Sequence, residues 1–345
     1  MLLTHQQVQD GMPITAVGVG TIDTTRYLTD TTTARSRILP DDKAHVLAPS
    51  LAWKGCPKKT KGPPTTVTPT VDLEGDAEAI SGTTDVVFAD VSQGSINMCT
   101  AMAFVHAYTL RYILQGVALP APQLSPVYAY YFQRIEECRA FGVCMCPRLA
   151  LPSCDSKAAC LFASACSPPC LDCGSYLSSA ATIFSRGVCT SAAWPTTMAI
   201  DTEPSSLAVA NAGEYRIAAM SCVLVGDGFL AAVSDWLQKR VPVVVFLNLT
   251  HAQVAWMQAQ QNAYNTKSGA VYDTTLPDFV DQEGAAEAYV GHAVLVVGVT
   301  PACILLRNNF GNAWGARGRF SILTKFAATQ QFHVAVAVET VVGAA

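Results

Sequence analysis

Gln93-Gly94-Ser95-Ile96-Asn97-Met98-Cys99 leads into Thr100–Leu114, a run that is apolar almost all round. A helix with no polar face must be buried on most sides, so the spacing predicts a core helix over 99–114. Ser95 or Asn97 is placed to cap it. Cys99 then stands at the positive end of the helix dipole, which lowers a thiol pKa and favours the thiolate. A backbone N–H at that turn and a nearby side-chain amide can hold the oxyanion of a tetrahedral intermediate; Gln93 can supply the amide. The alternative is a buried structural cysteine, common in apolar helices.

Two downstream segments bear on that choice. Gly291-His292-Ala293-Val294-Leu295-Val296-Val297-Gly298 puts a histidine at the head of an apolar strand, and Arg307-Asn308-Asn309-Phe310-Gly311-Asn312-Ala313-Trp314-Gly315 follows another strand. A lone histidine is more often a satisfied core residue than a catalyst. With Asn308 accepting a hydrogen bond from its ring, the tautomer is fixed. Phe310 and Trp314 would keep that bond dry.

In this order the three segments resemble the papain-like cysteine proteases, in their divergent, non-cathepsin branch. QGSINMCTAMAF is similar to the nucleophile motif, GHAVLVVGV to the histidine motif, and LLRNNFGNAWGARGRFSI to the asparagine motif. LSPVYAYYF, CGSYLSSAATIFSRGVCTSAAWP and VPVVVFLNL resemble further family segments, so the likeness spans most of residues 85–340. It implies an α+β, two-lobed fold. A helical half and an antiparallel β-barrel-like half would flank the active-site cleft. It implies a cysteine endopeptidase in which Cys99 attacks, His292 is the base, Asn308 orients it and Gln93 serves the oxyanion. Gly174, Ser175 and Trp314 would bind a polypeptide substrate. No cofactor or metal is implied in the site. The family's usual Cys-Gly-Ser run before the nucleophile and Trp after it are missing: Asn97-Met98 precede Cys99 and Thr100 follows. Ile96 replaces a cysteine, and Phe310 replaces a tryptophan. The interval from Cys99 to His292 exceeds the roughly 130–150 residues of the family signature.

Around these motifs the chain organises itself coarsely. Residues 1–84 hold Thr/Asp runs and a Lys-Pro-Thr stretch that cannot form a regular helix; they read as an arm or propeptide-like extension. The protease-like domain is expected over 85–345. Helices are expected over 125–137, 175–186 and 228–240, and strands over 241–249, 292–299, 303–307, 319–323 and 333–342. Helices first and strands later indicate α+β. Eight of the thirteen cysteines fall between Cys138 and Cys173, an insert open to disulfides, structural zinc through Cys170-x-x-Cys173, or plain thiols. His106 reads as a core histidine, and Asp201, Glu203 and Asp281 as solvated. His251 and His333 have no partner pattern.

Composition sets the remaining bounds. Half of the 345 residues are hydrophobic and only 14% are charged, against roughly 25% in an ordinary globular chain. That favours surfaces covered by protein partners, or polarity carried by Ser, Thr, Asn and Gln. Lys and Arg total 22 and the formal net charge is −4, which gives no footprint for nucleic acid. No apolar run reaches the roughly 20 residues of a membrane span, and no secretory leader is expected at the start. No localisation follows. A second function class stays open: a catalytically silent papain-like protein built into an assembly such as a virus particle (a virion) or held in another oxidising compartment.

Overall fold

The computed structural model describes residues 70–82, 88, 91–94, 96–141, 174–224, 228–249, 253, 257, 290–315, 317–324 and 332–343. Among them the elements run β1 (Val71–Asp72), α1 (Leu73–Ser81), α2 (Cys99–Leu114), α3 (Pro126–Phe141), α4 (Leu177–Arg186), α5 (Ser206–Ala212) and β2 (Arg216–Leu224). They continue with α6 (Phe229–Gln238), β3 (Val243–Leu249), β4 (Val290–Val299), β5 (Cys303–Arg307), β6 (Arg319–Leu323) and β7 (Phe332–Val342). The fold is α+β, as the order of segments indicates. The 1–69 part of the extension lies outside the described residues, as do residues 142–173 of the cysteine-rich insert. Cys222, on β2, is disulfide-bonded.

The strands form one antiparallel sheet in the order β2-β7-β3-β4-β5-β6, with β1 added against the end of β4. Successive side chains of a strand point to opposite faces. Val243–Leu247 in β3, Ala293–Val297 in β4 and Val334–Val338 in β7 are buried at every position, so both faces of the sheet centre are covered. α2 and α6 each pack on these three strands. Their continuous valine-rich runs follow from that double cover. β5 and β6, nearer the edge, alternate in burial. At Gly298 a Cβ would lie 2.3 Å from the Val71 carbonyl oxygen; only glycine lets β1 pair there.

α2 is buried along nearly its whole length, which is why it has no polar face. Its N-cap is Met98, with no side-chain cap bond, rather than the expected Asn97; Ser95, the other expected cap, lies outside the described residues. Thr100 Oγ1 donates to Gln133 Oε1 of α3 at 3.0 Å, and this fixes the first turn against its neighbour. α3 begins at Pro126, one residue after the expected start, with Ser125 Oγ accepting from the Tyr128 N–H at 3.2 Å. It runs to Phe141, beyond the expected end at 137.

Residues 70–82, the described part of the 1–84 segment, pack on the domain. Asp72 caps α1 by accepting from the Glu74 and Gly75 N–H groups at 3.2 Å each, and Leu73 and Ala77 reach the core. Glu74 is buried against Arg307 of β5, at 3.5 Å, and Arg319 of β6, in shorter contact. Burial raises the Glu74 carboxyl pKa, against the pull of the two guanidiniums. Arg307 also bonds the Arg317 carbonyl and Asn312 Oδ1 and lies over the Phe88 ring. Removing one member of such a group strands the others in low dielectric. Glu74→Ala is therefore expected to destabilise the fold by about 3 kcal/mol. Asp76→Ala, which loses only an exposed pair with Arg240, should cost under about 1 kcal/mol. Urea denaturation of the two variants checks the contrast.

Candidate active site

The site is assembled where the first turn of α2 meets the ends of β4 and β5. His292, third residue of β4, lies with its Nε2 2.8 Å from Asn308 Oδ1. The same oxygen accepts the Asn309 N–H at 2.8 Å, which identifies it as the carbonyl end of the amide. Nε2 must then carry the proton, and Nδ1 presents a bare lone pair. Nδ1 is buried and accepts no hydrogen bond.

Asn308 begins a loop that Arg307 and Gly318 hold in shape. The Asn308 N–H donates to the Gly318 carbonyl at 2.8 Å. Gly318 has φ +82°, and a Cβ there would press on both Arg307 and the Gly311 carbonyl. The Phe310 ring lies nearly parallel to the His292 ring, with centroids 5.9 Å apart, and Trp314 packs behind it. Trp314 is buried and donates its indole N–H to the Met257 carbonyl at 2.8 Å.

Cys99 joins this group through a residue that sequence reading missed. Asn309 Nδ2 donates to the Cys99 carbonyl at 3.2 Å and to the Ala293 carbonyl, next to His292, at 2.7 Å. The Asn309 carbonyl accepts the Gln93 N–H at 2.8 Å, beside a bridge between Ser92 and Phe310. One residue thus ties the Cys99 turn, the histidine strand and the glutamine segment together. The doubled Asn308-Asn309 was its only trace in the sequence. Gln93 is buried and directs Nε2 to the Ile96 carbonyl at 2.8 Å.

The other expected residues have partners of their own. The Gly174 N–H donates to the Tyr130 hydroxyl of α3 at 3.0 Å. Ser175 is buried, its Oγ 3.1 Å from Ser179 Oγ in the first turn of α4. His106 is a core residue, edge-on to Phe88, and Asp201 and Glu203 are exposed. Asp281 and His251 lie outside the described residues, as does the side chain of His333. Among the described residues no three His, Cys, Asp or Glu side chains gather as metal ligands, and no helix is long and apolar enough to cross a membrane.

Cys99 and His292 have 0% of their surface exposed, and Cys99 is a thiol rather than half of a disulfide. Burial pushes the His292 imidazole down to about 4, against the opposing effect of its bond to Asn308. At neutral pH it is an uncharged ring able to take a proton.

The fold is that of the papain-like cysteine proteases. Xylellain, a cysteine protease from Xylella fastidiosa, superimposes with a TM-score of 0.55 at 19% identity, over 81% of this chain and 91% of that one. Digestive procathepsin L2 from the larval midgut of Tenebrio molitor matches at 0.49 and 16% identity, over 96% and 87% of the two chains. Procathepsin B S9 from Trypanosoma congolense matches at 0.47 and 16%, over 96% and 94%. No protein-family model matches the sequence, and no curated protein matches it.

Two outcomes follow from this geometry. Asn309→Ala leaves two buried carbonyls short of their donor, so it should destabilise the fold by about 2 kcal/mol in urea denaturation. Asn309→Asp, which keeps the size and loses the donors, should do no better. The second outcome concerns acid. His292 binds its proton near pH 4 when folded and near 6.5 when unfolded. Between those values the unfolded chain holds more protons, so this group's contribution is intact above about pH 6.5 and is lost as the pH falls to about 4. The drop in unfolding free energy from pH 7 to 4.5 should be smaller for His292→Gln than for the parent; an equal drop would rule out burial as the cause.

Proposed function

We propose that the chain is a cysteine-type endopeptidase working through Cys99, His292 and Asn308. The observation that carries the reading is the His292 Nε2–Asn308 Oδ1 bond, which holds the ring in one tautomer and leaves Nδ1 as a base. Asn309 supports it by binding the Cys99 turn to the same strand. In this reading Nδ1 takes the Cys99 proton, and the thiolate attacks the carbonyl carbon of a peptide bond. The oxyanion is held by the Cys99 backbone N–H and the side-chain amide of Gln93. The imidazolium then protonates the leaving amine as the C–N bond breaks, and a thioester remains. Water, deprotonated at Nδ1, hydrolyses the thioester and restores the thiol. Phe310 and Trp314 keep water from the His292–Asn308 bond. Gly174 and Ser175, at the start of α4, would meet the substrate backbone.

One observation favours a second reading, a catalytically silent papain-like protein in an assembly: neither Cys99 nor His292 has any surface in this structure. In that case the buried thiol and its neighbours would serve packing alone. The cysteine-rich insert would then serve as a set of disulfides that stiffen the assembled protein.

A vinyl-sulfone peptide probe separates the two. The protease reading expects an adduct at Cys99, located by peptide mass spectrometry, that falls at least 100-fold in rate in His292→Ala, with cleavage of unfolded casein falling in parallel. The half-buried Cys303 thiol, alkylated by iodoacetamide, reports that the protein is reduced and reactive. Normal alkylation of Cys303 with no adduct at Cys99 and no casein cleavage would establish the silent reading.

A further inference from the structure

The register of β5 and β6 sets Arg307 directly opposite Arg319. Residues so paired on antiparallel strands project from one face, with Cβ atoms about 5 Å apart. Two cations placed there repel each other, and burial takes away the water that would screen them. The carboxylate between them comes from far back in the chain. Glu74, in the first turn of α1, has a side chain only 2% exposed, 3.5 Å from Arg307 Nη1 and in shorter contact with Arg319. Asp72, with a partly exposed side chain, adds a longer contact to Arg319 at 3.7 Å.

The guanidinium that meets Glu74 also holds the loop after β5. Arg307 Nη1 donates to the Arg317 carbonyl at 3.2 Å, and Nη2 donates to Asn312 Oδ1. Gly318 lies so close that a Cβ there would stand 3.1 Å from Arg307 Cζ. The Gly318 carbonyl accepts the Asn308 N–H, and Asn308 Oδ1 meets His292 Nε2. Direct contacts therefore run from Glu74 through Arg307 and Gly318 to Asn308 and the imidazole. Without the carboxylate, Arg307 either stays opposite Arg319 in a dry site or turns towards water. If it turns, its two bonds to the loop are broken or pulled with it.

We propose that Glu74 is a positioning residue for the Asn308–His292 pair, acting through Arg307, and that residues 71–81 are a working part of the site. That this site cleaves peptides rests on the protease reading; the positioning does not.

The test uses the full chain with isotope-labelled histidine. The parent should show the His292 Nε2–H as a downfield proton resonance, assigned by its loss in His292→Gln. Glu74→Gln keeps the size and removes the charge. In it the resonance should move upfield and exchange with water about tenfold faster, while the backbone amides of β2, at the far edge of the sheet, stay in place. Labelling of Cys99 by the vinyl-sulfone probe should slow by roughly 10- to 100-fold, the scale of a misplacement of about 1 Å. The double variant Glu74→Gln/Arg319→Gln removes one of the facing cations along with the carboxylate, so both readouts should return towards the parent values. Lost packing alone would instead make the double variant worse than the single one. Asn312→Ala leaves the charges whole and breaks one bond from Arg307 to the loop, so it should move the His292 resonance in the same direction in a folded protein. An unchanged resonance in Glu74→Gln, or in Asn312→Ala if Glu74→Gln does not fold, would overturn the proposal. So would a double variant worse than Glu74→Gln. A parent protein without an adduct at Cys99 would refute the protease reading, and the His292 resonance would still decide this one.

Discussion

The side-chain amide of Asn309 holds the site together. Its two hydrogens go to carbonyls at Cys99 and Ala293, and its own backbone carbonyl receives Gln93. Those partners belong to the Cys99 helix, the histidine strand and the segment before the helix, which share no other regular pairing. Sheet registry fixes His292 relative to Asn308, because β4 and β5 are neighbours with Leu295 opposite Arg307. Nothing in the sheet fixes Cys99, which stands on a helix packed across it. A helix on a sheet can slide or turn by an ångström at little cost through dispersion contacts alone. The Cys99–His292 pair of the proposed mechanism would tolerate far less. Two directional bonds from one buried amide, and the Thr100–Gln133 bond on the other side of the turn, supply the missing constraint.

The loop that carries Asn309 depends in turn on charge. Arg307 immediately precedes Asn308 and is held by Glu74, the Arg317 carbonyl, Asn312 and the Phe88 ring. A buried guanidinium with so many partners is a rigid post, since its planar fork loses little entropy per bond once placed. Glu74 comes from α1, so the short strand and helix of residues 71–81 serve as part of the domain. A chain cleaved after residue 82 would leave Arg307 and Arg319 without their buried carboxylate. A cut before Val71 would leave the group whole.

The legible parts of the fold share a cause. α2, β3, β4 and β7 are buried on both sides, and double burial writes an unbroken apolar run into the sequence. β5 and β6 were readable to the residue because one-sided burial imposes alternation, and Cys303–Arg307 and Arg319–Leu323 show it. β2 escaped notice: RIAAMSCVL carries register shifts at Ala219 that break its period. α1 was hidden by the Pro/Thr stretch before it, although Asp72 and Gly82 mark its ends. The cap of α2 was misjudged because Ser95 and Asn97 are good caps by type, whereas Gly94 and the Gln93–Ile96 turn deliver the chain to the helix at Met98. Cys99, His292, Asn308 and Gln93 were legible as separate signals. Asn309 was not, because its meaning lies in a bond to a carbonyl 210 positions away.

The composition takes its explanation from the same architecture. A sheet wetted on one face needs polar residues at every second position of each strand; this one does not at its centre. α2 has the sheet on one side and α1, α3 and α4 on others, so almost no position on it calls for charge. Large apolar side chains with substantial exposure are few among the described residues: Ile80, Val117, Leu119, Leu207, Val209 and Val342. The apolar half of the described residues is thus mostly interior, and the scarcity of charge follows from how many layers the centre of the molecule has.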